Sequence, residues 1–350
     1  METTQTLPIL RPLRLGELLD RAIRLYRGNF LTFIGIIAVV YVPLTVLQTA
    51  AQALVSSSTL MGDSSAPESR LIYSSIGTLA VFILLFAQII FVQGVAAGAL
   101  TRAVADSYLG KKTSILDAYR GMGSSLLTLV GALLLLGIIA IGILIWWIVV
   151  PCIGWFTGLG MWLFVLAVIL PLLPPAVVLE HQGAFDALRR TWSLARRRFW
   201  PLLGCVFILY LFSWIVVNGP ALIANVLLIQ LFESFGDQTM QLVLTSVIQG
   251  LVSLVFALIY LPLQLTAITL VYFDLRVRTE GFDLAILTIE TSGSTDLSQA
   301  MTAPIPADER LVTWAEMGNF AILTLAGAGI YIFFISLVMA SILSAGSLFR

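Results

Sequence analysis

The sequence predicts an all-α integral membrane protein of about seven transmembrane helices, with amphipathic helices at the membrane interface. Three observations predict this: composition, the distribution of basic residues, and a polar motif that recurs before alternate apolar runs. Of the 350 residues, 59% are hydrophobic and 11% are charged, and the mean hydropathy is +1.01. Soluble domains carry about 25% charged residues, so the composition excludes an ordinary water-soluble domain.

The first amphipathic segment, residues 13–27, precedes the first apolar run. Its apolar residues recur at spacings of three and four, and its arginines fall on the opposite face, a pattern typical of an interfacial helix. The arginines spread through it also argue against a cleavable signal peptide. We therefore expect residues 1–29 to form a cytoplasmic N-terminus with one amphipathic helix.

Seven apolar runs follow, and each is long enough to cross about 30 Å of hydrocarbon. Their predicted bounds are about 30–54, 71–104, 126–150, 155–179, 199–217, 240–273 and 314–343. A polar loop is predicted at 56–70. We expect Asn218, Gly219 and Pro220 to end the fifth span, because proline cannot continue a regular helix. Residues 221–235 are then too short to cross, and we predict a re-entrant or interfacial segment there.

The basic residues indicate the orientation of these spans. Seventeen of the 19 lysines and arginines fall on the side of the N-terminus, and the other two are Arg70 and Arg350. Because cytoplasmic loops carry an excess of Lys and Arg, this split predicts seven spans with the N-terminus inside and the C-terminus outside. Counting 221–235 as a crossing would move Arg276 and Arg278 outside. We expect a multi-pass protein of the bacterial inner (plasma) membrane.

A short motif recurs in the segments on the N-terminal side. An aspartate between apolar residues occurs at 19–22, 116–119, 185–188 and 282–285. The first three copies precede a span, which predicts a unit of amphipathic helix, span, short outer loop and span. Such hairpins of one orientation are parallel repeats. We expect a six-span domain of three hairpins (30–290), a flexible linker (291–313) and an additional C-terminal transmembrane helix (314–350).

The most strongly amphipathic segment, residues 184–200, lies between the fourth and fifth spans. Read as a helix, it carries Phe185, Leu188, Trp192, Ala195 and Phe199 on one face and the charged residues on the other. A basic amphipathic helix beside a span is typical of the headgroup layer. The predicted contacts with lipid or a partner are Arg189, Arg190, Trp192, Arg196, Arg197, Arg198, Arg276 and Arg278.

Other roles for this helix remain open. A segment of this kind more commonly serves only as a topology anchor, and the pattern at 184–200 fits that role too. The arginines could also dock an acidic partner, or pair with Glu180 and Asp274 across the repeat.

Glutamine supplies most of the larger polar groups within the spans. Four of them each need a hydrogen-bond partner in hydrocarbon: Gln88, Gln93, Gln249 and Gln264. They either bond to neighbouring helices, as packing glue, or line a polar cavity. We favour the packing role. Gly94 and Gly98 match the small-xxx-small packing pattern. We expect no buried carboxylate, because Glu180 and Asp274 fall at the membrane boundary, and this argues against proton-coupled transport.

The chain lacks the residues of the common catalytic and metal sites. His181 is the single histidine, so neither a Ser-His-Asp triad nor a His/Cys zinc site can form within the chain. Two cysteines give no disulfide framework. We expect no catalytic residue, no metal, no cofactor and no nucleic-acid partner.

Three stretches resemble a known family: RPLRLGELLDRAIRLYRGNF at 11–30, FDALRRTWSLARRRFW at 185–200 and YFDLRVRTEGFDL at 272–284. Together they are similar to the membrane domain of the glycerophosphoryl diester phosphodiesterase family, over about residues 11–290. Full-length enzymes of that family add a soluble catalytic domain with paired histidines, carboxylates and a divalent metal. The resemblance therefore implies a stand-alone membrane module here, without the phosphodiesterase activity.

These observations predict a non-enzymatic scaffold or accessory protein. Its expected partners are anionic phospholipid and, as alternatives, another membrane protein or a second copy of the chain. A transporter or permease subunit for small molecules or lipids is the first rival function. A membrane component of a lipid-metabolising enzyme is the second.

Overall fold

The computed structural model describes residues 14–60, 67–108, 110–111, 113–232, 238–281 and 312–348. All regular secondary structure in these ranges is helical. The fourth copy of the aspartate motif and nearly all of the predicted linker lie outside the described residues. The predicted loop at 56–70 is shorter than expected, because helix reaches Leu60 and resumes at Pro67.

Three short amphipathic helices form where they were predicted. They are α1 (Leu15–Gly28), α5 (Ile115–Met122) and α9 (Ala184–Arg197). Each has an acidic residue in its first turn and arginine in its last, which the helix dipole favours at both ends. Ser114 also caps α5, since its hydroxyl accepts a hydrogen bond from the backbone N–H of Asp117.

Apolar helices make up most of the remaining structure. They are α2 (Phe30–Leu60), α3 (Pro67–Gln88), α4 (Ala97–Tyr108), α6 (Leu126–Val149), α7 (Ile153–Phe164), α8 (Leu170–Glu180), α10 (Phe199–Phe232), α11 (Gln238–Glu280) and α12 (Trp314–Leu348). A π-helical segment, Ile89–Ala96, joins α3 to α4, and a second, Val165–Ile169, joins α7 to α8.

Seven helical stretches of the described chain are long and apolar enough to cross a membrane. They are Phe30–Gln52, Ser75–Tyr108, Ile115–Val149, Ile153–Glu180, Phe199–Leu228, Val243–Glu280 and Trp314–Phe333. Their number equals the predicted number of spans. The chain is thus all-helical and compatible with a multi-pass membrane protein.

The structure corrects the prediction that the fifth span ends at Asn218, Gly219 and Pro220. α10 continues through Pro220 to Phe232, so residues 221–232 extend the same helix and form no separate re-entrant or interfacial segment. An internal proline costs a helix about 3 kcal/mol because one backbone hydrogen bond is lost, whereas ending the helix there would leave several backbone groups without partners in the helix. α11 likewise continues through an internal proline, Pro262.

The amphipathic helices gather at one end of the helix bundle. Arg21 of α1 lies over the Tyr108 ring of α4, with its guanidinium carbon 5.0 Å from the ring centroid. Tyr108 in turn stacks on Phe273 of α11 at a centroid distance of 5.9 Å. α5 is tied to α2 by the Tyr119 hydroxyl, which donates to the Ile36 carbonyl at 2.7 Å.

Small residues let the spans approach closely at the centre of the bundle. A Cβ atom placed on Gly98 would lie 2.6 Å from Met122 Sδ and 3.0 Å from Leu129 Cδ2. One placed on Gly94 would lie 2.6 Å from Leu133 Cδ1. The prediction that this glycine pair serves helix packing is therefore confirmed.

α12 packs against α7 and the start of α10. The backbone N–H of Gly160 donates to Thr324 Oγ1 at 2.8 Å, and a Cβ on Gly160 would lie 2.1 Å from the Phe320 carbonyl oxygen. Phe320 is buried against the rings of Phe164 and Phe199. This last helix is therefore docked on the bundle through a glycine contact and an aromatic cluster.

Candidate functional site

Four charged side chains and one tyrosine are buried together where α8, α9 and α11 meet. The members of this ion cluster are Glu180, Arg190, Tyr272, Arg276 and Glu280. The side chains of Glu180 and Arg276 are fully buried, that of Arg190 is 1% exposed and that of Glu280 is 8% exposed. Buried charges require partners, and the cluster supplies them internally.

Glu180, the last residue of α8, lies at the centre of the ion cluster. Its Oε2 accepts from Arg190 Nε at 2.9 Å and from Gln182 Nε2 at 3.0 Å. Its Oε1 accepts from the Tyr272 hydroxyl at 2.5 Å, and Arg276 Nε lies 3.3 Å from the same oxygen. Both carboxylate oxygens are therefore satisfied by the protein itself.

Glu280 completes the charge balance. Its Oε2 accepts from Arg190 Nη2 at 2.6 Å and from Arg276 Nε at 3.3 Å, and its Oε1 pairs with Arg190 Nη1. Burial alone would lower the pKa of Arg190, but the two carboxylates outweigh it and hold the pKa above its usual value. Two guanidinium groups thus face two carboxylates, and the formal charges cancel.

The ion cluster corrects two predictions. Arg190 and Arg276 were predicted to contact lipid or a partner, but both side chains are inside the protein. Glu180 was placed at the membrane boundary with no carboxylate expected to be buried, yet it is enclosed by protein. The cause is the turn after α8, where His181 has a φ of 49° and α9 folds back toward the helix before it.

The alternative hypothesis of internal pairing describes these arginines better. Arg190 pairs with Glu180 as that hypothesis expected, whereas Asp274 accepts a hydrogen bond from Arg278 Nε of its own helix at 2.6 Å. Arg196 Nη1 lies 3.5 Å from Glu316 Oε1 of α12. Part of the predicted lipid-binding set therefore holds the bundle together.

The remaining residues of the predicted set lie at the surface of this end. Arg189, Arg197 and Arg198 are exposed, and Trp192 is half-buried with its ring edge-on to Phe164. The predicted apolar face is buried at Leu188 and Ala195 of α9 and at Phe199, the first residue of α10, whereas Phe185 is 66% exposed. An exposed aromatic ring beside an exposed arginine marks the outward side of this helix.

An apolar groove of about 290 Å³ runs along this outward side. α6 contributes Leu136 and Ile139 to its wall, and the π-helical segment contributes Val165 and Ile169. α9 closes one end with Phe185, Trp192 and Arg189, the charged residue of the lining. π-helical turns are frequent at functional sites, because they displace side chains from the regular helical positions.

The four glutamines are not brought together. Gln249 and Gln264 are both on α11, about 22 Å apart at 1.5 Å per residue, and neither lines the groove. Gln264 is buried, whereas Gln88, Gln93 and Gln249 are half-buried. Among the described residues, Oε1 of Gln93 and of Gln264 has no hydrogen-bond partner. The two readings of these glutamines, packing glue and cavity lining, stay predictions.

His181 and the acidic residues form no metal centre in the part of the chain that the structure describes. No group of three or more His, Cys, Asp or Glu side chains there could hold an ion. His181 Nδ1 lies 3.3 Å from Ser125 Oγ, at the turn between α8 and α9.

Sequence reasoning missed Tyr272 and Glu280 as members of a site, and it named Glu180 only in the alternative of internal pairing. Each stands at the end of an apolar run, where a polar residue is ordinary. The available signal was the presence of arginines and glutamates at the ends of two spans. Their partners are 90 residues or more away along the chain, as for Glu280 with Arg190 and Tyr272 with Glu180, and one sequence does not reveal such a pairing.

A family described as a domain of unknown function, DUF7847, matches residues 13–275. The chain belongs to this family. The DUF7847 match covers α1 to the greater part of α11, and therefore all three amphipathic helices and six candidate spans. It ends just before Arg276, and α12 lies beyond it. No curated protein and no solved structure matches the chain.

Proposed function

We propose that this protein is a non-enzymatic multi-pass protein of the bacterial inner membrane that binds and organises anionic phospholipid at the cytoplasmic face. In this proposal the N-terminus is cytoplasmic and α1, α5 and α9 form the rim of the bundle. The parallel-hairpin repeat and the stand-alone membrane module related to the glycerophosphoryl diester phosphodiesterase family belong to the same proposal. A second membrane protein or another copy of the chain could share this rim.

The observation that carries the proposal is the groove beside α9. The wall formed by α6 and by residues 161–169 belongs to stretches that are long and apolar enough to span a membrane, so hydrocarbon is the natural filling on that side. From Met161 to Ile169 the wall extends about 12 Å along the helix axis, at about 1.5 Å per residue. Arg189 stands at the end formed by α9, where a phosphate would lie if an acyl chain occupied the groove.

The character of α9 supports the same assignment. On its outward side, Phe185 is suited to anchor the helix in the acyl region and Trp192 to lie at the interface. Arg189 on the same side is suited to bind a phosphate. A basic side chain near an anionic leaflet contributes about 1 kcal/mol to binding, falling off within a Debye length. One arginine therefore gives a modest and measurable preference for anionic headgroups.

Lipid retention tests the groove. In the variant Arg189→Gln, we expect anionic lipid that co-purifies in neutral detergent to fall about fivefold, since about 1 kcal/mol of attraction is lost. Ile139→Trp should lower all retained phospholipid, because the larger ring fills the groove. Lipid extracted from equal amounts of protein is quantified by mass spectrometry.

Two matched controls accompany these variants. Arg197 lies on the same helix and is exposed, and Ile138 is the exposed neighbour of Ile139; neither lines the groove. Arg197→Gln and Ile138→Trp should leave lipid retention within twofold of the wild type. Equal losses in the controls and the groove variants would refute the groove as the lipid site.

Cysteine labelling tests the orientation. Cys152 is exposed and Cys205 is buried, so the variant Cys205→Ser presents one native thiol between α6 and α7. On the proposed topology a membrane-impermeant maleimide labels Cys152 in intact spheroplasts. Lys111→Cys, in a chain with both native cysteines replaced by serine, is labelled only after the membrane is opened. The opposite labelling pattern would show the inverted orientation and would contradict the assignment of the N-terminus to the cytoplasm.

A further inference from the structure

A second cavity lies between α1, α10 and α11, at the same end of the bundle as the ion cluster. Its volume is about 320 Å³. Three arginines line it: Arg14 before α1, Arg198 before α10, and Arg278 near the end of α11. We call this cavity the funnel. It shares no lining residue with the groove beside α9.

The inner wall of the funnel is apolar. Leu18, Leu202, Cys205 and Val271 contribute to it. Cys205 and Val271 are each seven residues from the arginine on their own side, which is about 10 Å along a helix at 1.5 Å per residue. The funnel therefore has a cationic end at the helix termini and an apolar end directed toward the middle of the spans.

The lining carries more positive than negative charges, and the guanidinium of Arg278 is held in place. Asp274 is the acidic residue of the lining, so three guanidinium groups leave a formal charge of +2. Arg278 Nε donates to Asp274 Oδ2 at 2.6 Å, which fixes this guanidinium at the wall of the cavity. Planar guanidinium groups suit phosphate because they donate two parallel hydrogen bonds.

We propose that the funnel is a binding site for an anionic amphiphile, with a phosphate headgroup at Arg14, Arg198 and Arg278 and an acyl tail along Leu202 and Val271. The lining of the funnel carries both halves of this ligand: net positive charge at one end and apolar wall at the other. A bounded cavity of this size takes one ligand, in contrast to the diffuse attraction of a basic surface. This site goes beyond the lipid-organising role proposed for α9, because it is saturable and selects a headgroup.

The test is a binding titration of the full-length protein in neutral detergent. The probe is dioctanoyl phosphatidic acid, compared with dioctanoyl phosphatidylcholine and with inorganic phosphate alone. We expect saturation at one equivalent of phosphatidic acid in addition to any site at the groove. Replacing two exposed arginines together, in the variant Arg14→Gln/Arg198→Gln, should weaken that site about 10- to 30-fold.

Matched variants separate this site from other basic residues and from the groove. Arg24 is exposed on α1 and does not line the funnel, so Arg24→Gln should change the affinity less than twofold. Arg189→Gln should leave the funnel site unchanged while it weakens the groove. The melting temperature of each variant is measured in the same detergent, and a wild-type value is expected because all of these arginines are exposed.

Three results would overturn the proposal. The first is unchanged affinity for phosphatidic acid in Arg14→Gln/Arg198→Gln. The second is equal affinity for phosphatidylcholine, which would remove the headgroup preference. The third is inorganic phosphate binding as tightly as the lipid, which would show that the acyl tail contributes nothing. Failure of Arg189→Gln to alter lipid retention would count against the groove alone.

Discussion

Replacing Arg190 with methionine lowers the free energy of unfolding by about 3–5 kcal/mol, the cost of breaking a buried ion pair. Arg190 contacts both carboxylates of the ion cluster, and its removal leaves Glu180 and Glu280 with Arg276 as their remaining cation within the cluster. Methionine keeps an unbranched apolar stem but lacks the guanidinium group, so the loss of its charge and of its hydrogen bonds to the two carboxylates dominates the effect. Unfolding by denaturant in neutral detergent measures the difference.

The neighbouring residue provides the control for this variant. Arg189 is exposed, and Arg189→Met should change the free energy of unfolding by less than about 0.5 kcal/mol. The double variant Arg190→Met/Glu280→Gln restores one carboxylate to one guanidinium and should recover part of the loss. Equal stability of Arg190→Met and Arg189→Met would mean that the ion cluster does not hold α9 on α8.

Replacing Gly160 with leucine separates α12 from α7 and costs about 1–3 kcal/mol, as overpacking does elsewhere. A Cβ at this position would meet the Phe320 carbonyl oxygen at 2.1 Å, and a backbone atom cannot rotate away as a side chain can. The hydrogen bond from Gly160 N–H to Thr324 Oγ1 is then lost as well. The separation is measured by cross-linking cysteines at positions 163 and 327 with a short bifunctional reagent.

Gly142 of α6 is the matched control for Gly160. A Cβ there would meet nothing within 4 Å, so Gly142→Leu tests the general effect of leucine in a glycine position. We expect the cross-linking yield to fall severalfold in Gly160→Leu and to stay unchanged in Gly142→Leu. An undiminished yield in both variants would contradict the glycine contact as the docking point of α12.

The helices were largely predictable from the sequence because their signals are local. Apolar length defines the long helices, and the spacing of apolar residues defines α1, α5 and α9. Pro220 misled the prediction because the local cost of a proline is known, while the cost of ending a helix depends on whether the surroundings can bond the freed backbone groups. Local patterns thus predict where helix forms better than where it stops.

The candidate sites were less predictable because they depend on which arginine faces inward. Arg189 and Arg190 are adjacent and chemically identical, yet one is exposed and the other is 1% exposed in its side chain. Helical periodicity places both on the polar face and gives no reason to separate them. The deciding partner, Glu280, lies 90 residues further along the chain than Arg190.

Because the members of the ion cluster are far apart along the chain, they are also synthesised at different times. Glu180 and Arg190 are made before the fifth and sixth candidate spans, whereas Arg276 and Glu280 come at the end of the sixth. At about 5–20 residues per second, the 90 residues between Arg190 and Glu280 correspond to a delay of about 5–18 s. Until then, within the cluster, Glu180 and Arg190 have only each other. Closure of the cluster is therefore a late step of folding, completed when the ribosome has already made every helix of the DUF7847 region.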